Sequence, residues 1–190
     1  MKKFELTTES KINIFGKKLF RIKALISFGN VEEGETGGWI EKEENLEQSS
    51  GNAWVSGNAE VYGDAEVSGN AWVYGNARVS GNARVSGNAW VSGNAWVYGN
   101  ARVYGNARVS GNAWVSGNAD YTTIHGFGTQ FRTTTFFRCK DKQIRVSCGC
   151  FFGTISEFRE RVKNTRKGKI AEEYLMIADL MEKHFTEEAK

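Results

Sequence analysis

From Gly51 to Asp120 the sequence repeats a six-residue unit, G-N-A-x-V-[S/Y], and this repeat constrains the fold more tightly than any other feature of the chain. Glycine opens every unit from Gly51 to Gly117, alanine follows two places on, and valine recurs from Val55 to Val115. Only Asp64 interrupts the asparagine column. Alanine and valine stand two apart, so in extended backbone they point to the same side while the residue between them points away. Gly-Asn suits a corner, because both residues tolerate positive φ. Alanine supplies too little volume for the core of a hairpin meander, whereas a coil buries one small and one branched side chain per unit. Three units make a triangular turn of 18 residues, and stacking such turns at about 4.8 Å pairs each backbone group with the turn above or below. The 70 repeat residues then give about four turns and a prism roughly 19 Å tall. Proline would remove donors from that ladder. The 190-residue chain has none, where a typical composition gives about nine.

On this pattern, seen in Val55-Ser56-Gly57-Asn58-Ala59-Glu60, the sequence resembles the hexapeptide-repeat family of left-handed parallel β-helices. The resemblance implies a left-handed parallel β-helix of about four turns over 51–120, and the flanking residues read as a β cap over 1–50 and a small α+β module over 121–190, a mainly β fold.

A period of 18 sorts the outward x positions into three faces. The first carries Trp54, Trp72, Trp90 and Arg108; the second Glu60, Arg78, Trp96 and Trp114; the third Glu66, Arg84, Arg102 and Asp120. Tyr74 stands beside the first, Tyr62 and Tyr98 beside the second, and Tyr104 beside the third. Each indole offers about 150–250 Å², so three in register exceed what a soluble surface normally leaves bare. Stacked indoles stabilising the ladder as cross-strand pairs are one explanation. A homo-oligomer interface is another, with a trimer favoured by the family resemblance. A platform of Trp54, Trp72, Trp90, Trp96 and Trp114 with Arg78, Arg84, Arg102, Arg108, Tyr74 and Tyr98, suited to stacking on a partner or flat ligand, is the third. The asparagine columns read as corners with stacked amides.

An open solenoid needs its ends covered. Phe4–Leu6 and Lys11–Phe15 read as short strands and Leu19–Phe28 as a longer one, followed by a Gly- and Glu-rich segment from Val31 to Glu47. The seven glutamates between Glu32 and Glu47 read as a solvated surface. Beyond Asp120, Thr133–Lys140 and Gln143–Cys150 read as a hairpin about Asp141-Lys142, with Lys140 facing Gln143. That register puts Phe137, Cys139, Ile144, Val146, Cys148 and Cys150 on one apolar side. Thr154 and Glu157 form a capping box opening a helix to about Lys163, and a basic link leads to a second helix from about Ile170 to Phe185.

Charge is nearly balanced, 25 Lys+Arg against 22 Asp+Glu, which argues against a bulk nucleic-acid binder. The basic cluster Arg159, Arg161, Lys163, Arg166, Lys167 and Lys169 sits among Glu157, Glu160, Glu172 and Glu173 and reads as a solvated link, making nucleic acid an unlikely partner. No apolar run has membrane-span length and the polar start lacks a signal-peptide core, so the expectation is a soluble, cytoplasmic protein with no membrane contact. Acyltransferases and carbonic anhydrases of the hexapeptide family carry histidines in their coils, whereas His125 and His184 lie outside them here. Cys139, Cys148 and Cys150 with His125 lack common zinc spacing. The sequence thus implies no catalytic residue, no metal and no cofactor.

Arg21-Ile22-Lys23-Ala24-Leu25, Phe28-Gly29-Asn30-Val31, Gly37-Gly38-Trp39-Ile40-Glu41 and Asn45-Leu46 precede the repeats; Cys148-Gly149-Cys150-Phe151, Gly153-Thr154 and Glu157-Phe158 follow them. This combination resembles a family of phage and prophage proteins. The resemblance implies a phage-encoded accessory protein in the bacterial cytoplasm: a non-enzymatic binder that inhibits a host defence factor through its Trp/Arg faces. Alternatives are a sponge holding an anionic, nucleotide-like molecule between subunits, and a scaffold or virion element.

Overall fold

The computed structural model describes residues 2–186. Three strands begin the chain: β1 (Phe4–Ile12), β2 (Lys18–Ala24) and β3 (Thr36–Ile40). Eleven two-residue strands follow, each an x-Val pair, from Trp54–Val55 to Trp114–Val115. The chain ends in β4 (Tyr121–Phe127), β5 (Arg132–Arg138), β6 (Ile144–Cys148), β7 (Phe151–Thr154), α1 (Ile155–Thr165) and α2 (Gly168–Phe185).

The eleven short strands build a β-solenoid in which residues 18 apart are parallel neighbours, as in Trp72↔Trp90 and Trp96↔Trp114. Alanines from Ala53 to Ala113 and valines from Val55 to Val115 line its lumen and are at most 1% exposed, whereas Ala119, in a 3-10 turn, is exposed. Each buried valine is worth about 1.5–3 kcal/mol before entropy, so the lining outweighs any single corner contact. Outside, asparagine amides stack, Nδ2 donating to the next turn's Oδ1 at 3.1 Å for Asn70–Asn88 and 3.2 Å for Asn76–Asn94. The three faces follow the sequence period except at Asp120, since the third holds only Glu66, Arg84 and Arg102. Asp120 instead closes a short 3-10 turn, its carboxylate accepting from Ser116 N at 2.8 Å and Gly117 N at 3.1 Å.

The N-terminal segment supplies a partial first turn. Trp39 and Ile40 pair with Glu60 and Val61, and Leu46 bridges Val67, so Ile40 and Leu46 continue the aliphatic lining downward. A Cβ on Gly37 or Gly38 would come within 2.7 Å of Trp54, Val55 or Ile22, which is why two glycines precede Trp39. Buried Asn45 donates to Gly63 O and Ala65 O at 3.0 and 2.8 Å while accepting from Glu41 N and Lys42 N. Glu41 and Glu47, expected on a solvated surface, accept from the Gly63 and Gly69 amides at 2.7 and 3.0 Å. The Gly69 amide, then Ser50, hold the Glu47 carboxyl below its usual range. The expected break between Leu6 and Lys11 is absent: β1 runs through it with an irregularity and pairs with β2.

At the other end β4–β7 form an antiparallel sheet between the solenoid and the helices. Cys139 N donates to Gln143 O, and Lys142 takes φ 63°, giving a three-residue loop in place of the expected two-residue turn. The register therefore slips by one, with Arg138 opposite Ile144 and Phe136 opposite Val146. Such a slip moves side chains to the opposite face. Phe137 and Cys139 consequently join the solenoid core, while Phe136, Val146, Ile144 and Cys148 pack against the helices. Both sheet faces are covered, so no single apolar side exists. The capping box is as expected: Thr154 Oγ1 accepts from Glu157 N at 3.1 Å and Glu157 Oε2 from Thr154 N at 2.7 Å. α1 extends two residues beyond Lys163, and α2 begins two residues before Ile170.

The stacking makes a graded prediction for the corner glycines. A Cβ at Gly93 (φ 68°) would lie 2.9 Å from Gly111 N, whereas at Gly105 (φ 69°) it would meet nothing within 4 Å. Gly105→Ala should cost about 1–2 kcal/mol for left-handed backbone alone, and Gly93→Ala distinctly more. Urea unfolding measures both; equal losses would contradict the register.

Candidate functional site

Outward indoles and guanidiniums were the sequence's candidates, and the fold treats them unequally. Trp54 is fully buried: Phe4 and Phe28 of the N-terminal segment pack edge-on against it with centroids 6.5 and 5.5 Å away. It is therefore part of the core and not of a binding surface. Trp96 and Trp114 are half-buried in an aromatic cluster on the second face. The β1–β2 turn brings Phe15 to 5.3 Å from Trp96, Trp96 and Trp114 meet at 4.8 Å, and Tyr98 touches both. The Trp96 indole N–H donates to Ser80 Oγ at 3.0 Å and that of Trp114 to the Tyr98 hydroxyl. Lys140 lies over the Trp114 ring.

The first face is different. Trp72 is half-buried against the solenoid core, but Trp90 above it is 41% exposed and is the one exposed indole among the described residues. Tyr74 stands nearly perpendicular to Trp90 at 6.1 Å, and the Arg108 guanidinium lies 4.9 Å from its centroid. Trp72, Tyr74, Trp90 and Arg108 thus form one vertical strip. The aromatic pair is worth about 0.5–1.5 kcal/mol and the exposed cation–π contact about 0.5–1 kcal/mol, enough to order the strip but not to hide it from water.

The arginines divide likewise. Arg78 lies 3.5 Å from Glu60, whose carboxylate Lys11 also reaches at 2.8 Å, and Arg84 lies 3.5 Å from Glu66. Arg102 and Arg108 are exposed with no carboxylate within 4.0 Å among the described residues. Arg108 N donates to Thr135 Oγ1 at 3.0 Å, so β5 caps the ladder where the strip ends. A groove lined by Arg108, His125, Phe131, Arg132 and Cys150 continues the strip onto the C-terminal sheet. Phe131, 65% exposed at φ 47°, was not recognised in the sequence; an aromatic among loop residues 128–131 was the available signal.

The three thiols are not brought together. Cys139 is buried towards the solenoid, Cys148 is half-buried towards the helices, and Cys150 is exposed in the β6–β7 turn. No group of three or more His, Cys, Asp or Glu among the described residues is arranged to hold a metal ion. No helix among them is long and apolar enough to cross a membrane.

A family described as the YdcK beta-solenoid repeat matches residues 71–85, 77–93, 83–99, 95–109 and 101–117. These matches lie within the coils that carry Trp72, Trp90 and Arg108. They support a repeat β-solenoid protein and cover about a quarter of the chain. No curated protein matches it.

Burial pushes the Cys139 thiol up to about 11 and the Tyr121 phenol up to about 12; both sit where the sheet meets the solenoid. Each stays neutral in the folded state above the pH at which the unfolded chain releases the proton. Their stabilising contribution is present below about pH 9 and is lost as pH rises towards 11 and 12. Unfolding midpoints should therefore fall steeply above pH 9, and Cys150 should react with a thiol reagent in native protein while Cys139 reacts only after unfolding. Rapid labelling of Cys139 in the native state would contradict this burial.

Proposed function

We propose that the protein is a non-enzymatic binding protein, phage-encoded and acting in the bacterial cytoplasm, that occupies a surface of a host defence factor. Its contact surface is the strip of Trp72, Tyr74, Trp90 and Arg108, presented by a homo-oligomer, of which a trimer is the favoured form. The observation that carries the reading is the contrast among indoles. The chain buries Trp54 with its own N-terminal aromatics and packs Phe15 against Trp96, yet leaves Trp90 exposed at 41% beside Arg108, which has no carboxylate within 4.0 Å among the described residues. Trp, Tyr and Arg are the side chains most enriched among residues that dominate binding energy. A rigid ladder holds them in one geometry, so little side-chain entropy is lost on contact. Resemblance of the flanking segments to phage proteins supports a host factor as the partner.

Mass photometry of the protein, alone and with host lysate, tests this, with captured proteins identified by mass spectrometry. The 21.2 kDa chain should run as a discrete oligomer that gains a defined host partner. Trp72→Ala with Trp90→Ala, its fold verified by circular dichroism, should lower the oligomer order or abolish capture. Unchanged assembly together with unchanged capture would overturn the assignment.

A further inference from the structure

A second site lies away from the strip. Between the C-terminal sheet and the helices is a cavity of about 300 Å³ whose lining includes Arg132 of β5, Arg161 of α1 and Arg166 of the link. Among the described residues no aspartate or glutamate lines it, and none of these guanidiniums has a carboxylate within 4.0 Å. Asp179 and Glu182 both bind Arg159, at 2.7 and 2.6 Å, and Glu173 lies 3.6 Å from Lys169. Half-buried Phe151 lines its apolar side, backed by the buried Phe158 and Tyr174, with Phe158 5.5 Å from Phe151 and 5.7 Å from Tyr174. Burial raises the Tyr174 phenol, while Arg166 and Arg132 are close enough to pull against that rise.

The negative end of α1 accounts for a cation in its last turn, and Lys163 already stands there. It does not account for Arg132, which arrives from a strand. Three like charges around one small space repel one another until an anion enters. Guanidinium forks match phosphate oxygens in pairs, and an aromatic wall offers a face to a planar base. The volume is at the lower end of the roughly 300–1,000 Å³ of ligand pockets, which suits one nucleotide unit.

We propose that this cavity binds a mononucleotide, its phosphate held by Arg132, Arg161 and Arg166 and its base against Phe151, backed by Phe158 and Tyr174. The expected anionic ligand thereby moves from a site between subunits to one within a single chain, independent of the strip.

Calorimetric titration at low salt with AMP, GMP, CMP, UMP and inorganic phosphate provides the test. At least one nucleotide should bind more tightly than phosphate and slow the alkylation of Cys150, which lines the cavity. Arg161→Gln with Arg166→Gln should weaken that nucleotide about tenfold or more. Lys163→Gln with Lys167→Gln removes the same charge outside the lining and should leave affinity within about twofold. Trp72→Ala with Trp90→Ala should still bind, which separates this site from the proposed function. No binding by any of the four nucleotides, phosphate binding as tightly as all of them, or equal loss in the lysine variant would overturn the proposal.

Discussion

Hydrogen bonding between successive 18-residue turns is the constraint on which everything else in this molecule rests. Trp72 N donates to Ala89 O at 2.9 Å, Tyr74 N to Val91 O at 3.0 Å and Asn76 N to Gly93 O at 2.8 Å, and the pattern recurs up the solenoid. Because the bonds run between turns, like positions must lie over like. Valines therefore close the lumen, asparagine amides chain along a corner, and the x residues are forced into three columns. Side-chain chemistry within a column is free to vary, so one scaffold carries Glu–Arg pairs on its second and third faces and indoles on its first and second.

A ladder of this kind is unsatisfied at both ends, and the two ends are closed by different means. Below, side chains replace the missing turn: the Asn45 amide and the Glu41 and Glu47 carboxylates take up coil carbonyls and amides, while Lys3 Nζ reaches Ala53 O at 3.3 Å. Burial lowers the Lys3 pKa, and the coulombic pull of Glu47 acts against that. Above, a whole sheet is laid across the opening: Thr135 and Asn118 accept from Arg108 N and Arg102 N, and Phe137 and Cys139 fill the lumen.

The period made the solenoid, its faces and its lining legible, because a strict repeat leaves side-chain direction no freedom. Departures arise where the repeat stops. Trp54 occupies an outward position like Trp72, yet the returning N-terminal chain covers it, and no local pattern records a contact with Phe4, 50 residues away. The hairpin after Asp120 slipped by one residue because Lys142 adopts left-handed backbone, which a lysine does not announce. β4 and β7 went unassigned, β4 being rich in threonine and β7 only four residues long. The arginine cavity assembles residues from a strand, a helix and a link, and only Arg161 and Arg166 were visible beforehand, as members of a basic cluster.

Rigidity links the fold to both proposed sites, since a surface held by inter-turn bonds presents Trp90 and Arg108 without rearrangement and anchors the sheet that walls the cavity. The most direct measurement of the underlying register is thiol oxidation followed by mass spectrometry, in protein carrying Cys148→Ser and Cys150→Ser. Asn76→Cys with Asn94→Cys, whose native amides touch at 3.2 Å, should close a disulfide within the chain, and Asn76→Cys with Asn88→Cys should not. Closure of the second pair in preference to the first would contradict a turn of 18 residues and, with it, the strip and its caps.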